Sequence, residues 1–252
     1  MSAPPTAKSG PRPWHTGLDL EAQDAGHYLD YVNEPLLDAV SRAPRRVLDL
    51  GCAAGSFGER LKARFPEAHV TGIEAGRAAA AKAAARIDRV VASRIEEVDF
   101  GAADFGPASF DLIVAGDVLE HLVNPWALLE RVRPCIAADG QLIASIPNVR
   151  NLGLAADLML NGRWHYEDRG LLDITHLRFF AFEDIRALFE DTGYRLESFR
   201  ANLSPRLRAL YHEHAGKGTV TLRVDRLQLE GVTQRELTEL CTEQYILTAR
   251  PA

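Results

Sequence analysis

Ten consecutive residues carry the clearest chemistry in this chain: Val47-Leu48-Asp49-Leu50-Gly51-Cys52-Ala53-Ala54-Gly55-Ser56. An apolar run enters a turn of small residues, and a helical pattern follows. Such a turn lets the backbone approach a ligand closely, because glycine puts no side chain in the way. The helix beyond it presents unpaired N–H groups to whatever occupies the turn. A phosphate-cradling loop needs Gly-x-x-x-x-Gly-Lys-Ser/Thr, and no such lysine follows Gly51. A dinucleotide turn needs Gly-x-Gly-x-x-Gly, and Ala53 and Ser56 stand where its second and third glycines belong. About 20 residues past the turn, His69–Glu74 has the pattern of a second strand ending in an acid, placed to accept from ribose hydroxyls. Glu74 therefore points to adenosine without choosing the cofactor that carries it.

The spacing Asp49-x-Gly51-x-Ala53-x-Gly55 is similar to the Asp-x-Gly-x-Gly-x-Gly turn of class I S-adenosylmethionine-dependent methyltransferases, with alanine for the middle glycine. Phe110–Leu122, containing Gly116-Asp117-Val118-Leu119-Glu120-His121, resembles the fourth strand and following loop of that family. Gly140–Asn148 resembles its fifth strand. Gly162-Arg163-Trp164-His165-Tyr166 and Leu172-Asp173-Ile174-Thr175-His176-Leu177-Arg178-Phe179-Phe180 are more specific. They resemble methyltransferases encoded beside, or fused to, glycosyltransferases in bacterial surface-glycan and natural-product clusters. The resemblance spans residues 25 to 200.

It implies S-adenosylmethionine as cofactor and S-adenosylhomocysteine as product. Asp49 would face the methionine amino group, Gly51, Ala53 and Gly55 would allow close approach, and Glu74 would hold the ribose. Ile95 would pack on the adenine and Glu96 would reach its amine, although Arg94 stands where many relatives have Asp. Asp117 would lie beside the methionine portion and the acceptor. Methyl transfer from a sulfonium is an in-line displacement, so the enzyme must align the acceptor and exclude water. A hydroxyl acceptor also needs a base. His176 is the leading candidate, with pinning of the local segment as its other role, and Asp117 and His121 complete the catalytic set. Trp164 and Tyr166 would stack on the acceptor, joined by Asp173 and Arg178. The Asp117, Glu120, His121 pattern is similar to one that binds a divalent metal in ubiquinone-pathway O-methyltransferases. A capping role for Glu120-His121 is favoured over metal. His212-Glu213-His214 diverges on a helix and suits solvated surface.

These residues need elements to hold them. Strands at 46–50, 69–74, 89–92, 110–115 and 141–146 alternate with helices at 56–65, 76–86 and 125–134, the pattern of a parallel sheet covered on both faces. The expected fold is α/β and Rossmann-like: a seven-stranded, mostly parallel sheet with a lid insertion over 149–180, after the fifth strand. A helical pattern over 27–40 contains Pro35, which should end, kink or start a helix. Phe182–Thr192 reads as a helix and Tyr194–Asn202 as a strand. Glu243–Ala249 is expected as the last strand, antiparallel at the sheet edge. Residues 204–240 suggest a loose strand and a helix of no assigned role. Residues 1–20 suit a disordered leader, and 21–252 one domain.

With 252 residues, 46% hydrophobic and 25% charged, the chain can bury one sizeable core. A net charge of −6 disfavours a nucleic-acid partner. Three scattered cysteines suit neither a disulfide frame nor a zinc site. No apolar run is long enough to span a membrane, and the cytoplasm is the default compartment. The expected partner is a small-molecule or glycan acceptor, with a homodimer left open. The leading function is O-methylation of a sugar, glycolipid or glycosylated metabolite. A nicotinamide oxidoreductase and a non-catalytic adenosyl-binding protein are the competing readings.

Overall fold

A computed structural model describes residues 30–252. The leader expected over 1–20 and the start of the helix expected over 27–40 lie outside the described residues. The described part of that helix is one turn, α1 (Glu34–Leu37), with Pro35 in its first turn and Asn33 capping it through an acceptor bond from Leu36 N. Pro35 therefore starts a helix here, as its fixed φ and missing N–H permit.

Alternation then proceeds as β1 (Arg46–Leu50), α2 (Ser56–Arg64), β2 (His69–Glu74), α3 (Arg77–Ala83), β3 (Arg89–Ala92), β4 (Phe110–Gly116), α4 (Pro125–Val132), β5 (Ile136–Pro147) and α5 (Leu152–Asn161). It closes with α6 (Phe182–Asp191), β6 (Tyr194–Leu203), α7 (Arg208–His214), β7 (Val220–Val224), β8 (Leu227–Val232), α8 (Gln234–Cys241) and β9 (Thr242–Pro251). Seven strands form one sheet in the order β3-β2-β1-β4-β5-β9-β6, with β1 to β5 parallel and β9 antiparallel to both neighbours.

β1 and β4 are buried at nearly every position because both faces of the sheet are covered, with Asp49 the buried polar exception in β1. Successive residues of β4 alternate between two cores: Leu112 and Val114 pack with α1 and α2, while Ile113 and Ala115 pack with α4 and α6. One expectation is corrected. β9 is not the edge strand; it lies between β5 and β6. Ile246, Leu247 and Ala249 are all buried, which requires cover on both faces, whereas Glu197 to Arg200 of β6 are exposed and suit an edge.

The unassigned stretch 204–240 is a satellite of the sheet. The β7–β8 hairpin and α8 enclose a small core of Leu207, Leu222, Val232, Leu237, Leu240 and Cys241, which includes Leu152 of α5. Polar ties reinforce this contact. Asn148 Nδ2 donates to the carbonyls of Glu239 and Thr242, Asn151 Nδ2 donates to Thr242, and Arg226 donates to Leu160 O. Among the described residues no helix is long and apolar enough to cross a membrane. Cys52, Cys135 and Cys241 are free thiols in buried positions.

Gly72 of β2 faces the Cys52 sulfur and the Ile87 side chain, whose Cδ1 would lie 2.7 Å from an added Cβ. Gly72→Ala should therefore cost about 1–3 kcal/mol by overpacking. Urea unfolding should show a lower midpoint with an unchanged slope.

Candidate cofactor and acceptor site

The chain leaves β1 through left-handed backbone: φ is +72° at Gly51, +46° at Ala53 and +80° at Gly55. Alanine at a left-handed position costs roughly 1–2 kcal/mol, so Ala53 keeps the geometry of the glycine it replaces under strain. What holds it is Glu74. The carboxylate at the end of β2 accepts from Ala53 N at 2.9 Å and from Gly76 N at 2.7 Å, tying the turn to the second strand. Gly55 serves packing: an added Cβ would lie 3.0 Å from the Ala83 backbone at the end of α3.

Asp49 is only 4% exposed, and its Oδ2 has no hydrogen-bond partner. Burial, with the Glu74 charge second, pushes its carboxyl up to about 7. A cationic ligand at the turn would satisfy it. Ile95 is buried within the main core, and exposed Glu96 has Arg94 at 3.6 Å.

Asp117, after β4, also has positive φ, at +55°. Ser145 of β5 fixes its backbone, with Asp117 N donating to Ser145 Oγ at 3.0 Å. Its carboxylate accepts from Asn33 Nδ2 at 3.3 Å and from Gln244 Nε2 of β9, and Asn33 also bonds Gln244 Oε1 at 3.1 Å. Burial raises this carboxyl to about 6 against the opposing hydrogen bonds of Asn33, Ser145 and Gln244. The loop abuts the cofactor turn, since an added Cβ at Gly51 would lie 2.7 Å from Val118 Cγ2.

The Asp117–His121 loop and the 173–178 stretch are locked together. Leu177 N and Arg178 N both donate to Glu120 O, at 2.8 and 3.0 Å. The His121 and His176 rings meet edge to face, 4.8 Å between centroids. Burial lowers the pKa of both imidazoles, that of His176 to about 4 with help from His121. Asp173 is buried and accepts from Thr175 N at 2.9 Å and Thr175 Oγ1 at 2.6 Å. Arg178 donates to the carbonyls of Leu177 and Val123. Of the four residues expected to face the acceptor, Asp173 thus bonds within its own stretch and Arg178 reaches from it to the loop after β4. Trp164 packs edge to face on Phe179 at 5.2 Å, and Tyr166 is 39% exposed.

The trio Asp117, Glu120, His121 does not assemble, because two amides hold the Asp117 carboxylate. Among the described residues, the His/Cys/Asp/Glu group able to hold a metal is Glu120, His121 and His176. Sequence reasoning missed Asn33, Ser145, Thr175 and Gln244. Only Thr175 carried a local signal, from its place between Asp173 and His176.

A family model described as a methyltransferase domain matches residues 25–198. The chain belongs to this methyltransferase family. Its cofactor is accordingly S-adenosylmethionine. Trans-aconitate 2-methyltransferase of Methylobacterium nodulans is 34% identical over 132 residues, 50% of each chain. Malonyl-[acyl-carrier protein] O-methyltransferase of Geobacter sulfurreducens is 27% identical over 162 residues, covering 64% of this methyltransferase and 59% of that one. The chain therefore spans about half the length of the curated relatives it matches. A solved S-adenosylmethionine-dependent methyltransferase from Thermotoga maritima shares the fold, with a TM-score of 0.54, 16% identity and 86% of each chain covered.

The state of Asp49 gives a pH signature. Its carboxyl is ionised above about 7, and the ionised form would attract a cationic group placed at the turn. Cofactor affinity should fall as pH drops through about 7, read by calorimetric titration of the methyltransferase with S-adenosylhomocysteine. Asp49→Asn should bind at least tenfold more weakly at pH 8 and flatten that dependence. Because a raised pKa favours the protonated fold, the empty wild type should lose stability as pH rises through 7, and the Asn variant should melt higher at pH 8.

Proposed function

We propose that this protein transfers the sulfonium methyl of S-adenosylmethionine to an oxygen of a sugar, glycolipid or glycosylated metabolite. The observation that carries the reading is Asp117: a carboxyl raised to about 6, braced by Asn33 and Gln244, in the loop that packs on the cofactor turn. A group with that pKa accepts a hydroxyl proton at neutral pH and releases it to solvent. The transfer forms the new oxygen–methyl bond as the sulfur–methyl bond breaks. The sulfur keeps the bonding pair, and the hydroxyl proton passes to Asp117. Asp49 and Glu74 hold the cofactor's ammonium and ribose, with Ile95 and Glu96 at its adenine.

Segment 149–180 serves as the acceptor lid. Trp164 and Tyr166 offer aromatic faces of the kind that stack on sugar rings. His121 and His176 hold the lid, and Asp117 takes the proton. Oxygen as the methylated atom has support from the malonyl-[acyl-carrier protein] O-methyltransferase relative. A cytoplasmic location and a small-molecule or glycan acceptor complete the proposal.

The test supplies methyl-labelled S-adenosylmethionine with panels of sugar, glycolipid, organic-acid and acyl-carrier acceptors. Label on a sugar oxygen supports the reading. Label only on carboxylates or nitrogens, or none in any panel, overturns it. Asp117→Asn should keep cofactor affinity within about threefold and lose 100-fold or more in kcat. The wild-type rate should fall on the acid side with a limb near 6, since only the deprotonated carboxylate accepts.

A further inference from the structure

Glu120 is 1% exposed, and neither of its carboxylate oxygens has a hydrogen-bond partner. Two imidazoles adjoin it, and both have already committed the Nδ1 proton. The Thr175 hydroxyl donates to Asp173 Oδ1 at 2.6 Å, so its oxygen serves as acceptor for His121 Nδ1 at 2.9 Å. His176 Nδ1 lies 3.3 Å from the carbonyl of Leu171, a group that only accepts. Partner chemistry thus assigns the same tautomer to both rings and leaves Nε2 of each as a lone pair. His176 Nε2 lies 3.9 Å from Glu120 Oε1. One ligand atom from each of Glu120, His121 and His176 falls within 4.8 Å of the others. A buried carboxyl group beside two imidazole lone pairs brings three potential cation ligands together. The bonds from Nδ1 to Thr175–Asp173 and to a carbonyl are the outer contacts that metal-ligating histidines make.

We propose that Glu120, His121 and His176 bind one divalent transition-metal cation of the zinc class, which clasps the 173–178 stretch to the loop after β4. Two imidazoles and one carboxylate suit such an ion, whereas magnesium prefers oxygen donors and retained water. Zinc with bonds of about 2.1 Å holds its ligands about 3.4 Å apart, so binding draws the three side chains inward and tightens the clasp. Asp117 stays outside the set, held by Asn33 and Gln244. The clasp stands independently of the methyl-transfer reading, because it needs neither cofactor nor acceptor.

The experiment is calorimetric titration of the full chain, stripped with chelator and dialysed, with zinc chloride and separately with magnesium chloride. One zinc ion per chain should bind, with magnesium at least 100-fold weaker. His176→Ala and Glu120→Gln should each lose 100-fold or more in zinc affinity. Thr175→Val, which removes no ligand, should lose 10–100-fold, and Thr175→Ser should restore it. Zinc should also slow amide exchange across 173–178. If Glu120→Gln fails to fold, the Thr175 pair decides. No stoichiometric zinc binding overturns the proposal. So does binding that is unchanged in the His176 and Thr175 variants, which would place the ion elsewhere, as at His212-Glu213-His214.

Discussion

Buried carboxyl groups are the constraint around which the carboxyl ends of these strands are organised. Asp49, Glu120 and Asp173 are each at most 4% exposed, and Asp117 is half-buried. Burying a carboxylate without a partner is costly, and a protein meets the cost by raising the pKa or by supplying donors. Both devices appear. Glu74 and Asp117 are bonded by backbone or amide donors, while Asp49 keeps an unsatisfied oxygen and Glu120 two. A site built this way selects its visitors by charge. A sulfonium cofactor with a free ammonium would meet that requirement at one end, and the proposed metal ion would meet it at the other.

The parts of this arrangement that were legible in the sequence are those encoded locally. The turn after β1, the acid ending β2 and the continuous apolar runs of β1 and β4 declare themselves within a few residues, because glycine placement and period-two burial are short-range signals. Ala53 replaces the middle glycine of the turn, and it occupies left-handed backbone all the same, because Glu74 accepts its N–H. What escaped the sequence is long-range. The Gln244–Asp117 contact joins residues 127 positions apart, and Asn33 reaches Asp117 across 84. Neither amide has neighbours that mark it. The place of β9 was misjudged although residue types carried a signal: Arg195, Glu197 and Arg200 mark β6 as the edge, while Tyr245, Ile246 and Leu247 of β9 form a continuous apolar run.

The satellite 204–241 gives the region after β5 a second support. Leu152 of α5 enters the satellite core, and Asn148 and Asn151 bond the carbonyls that join α8 to β9. Asparagine suits this place because one amide can donate twice, and Asn148 uses both hydrogens on two carbonyls. The helix that follows β5 is therefore fixed at its base.

The insertion of β9 between β5 and β6 has a consequence for the newborn chain on the ribosome. β5 and β6 are both made before the strand that separates them, and at 5–20 residues per second the intervening stretch takes on the order of seconds to synthesise. Throughout that interval each presents an unpaired backbone edge, the kind that recruits other strands. Gln244 is also absent, so Asp117 has no second amide. The docking of one late strand thus closes the gap between β5 and β6 and brings the second amide to Asp117, leaving β6 as the edge of the finished sheet.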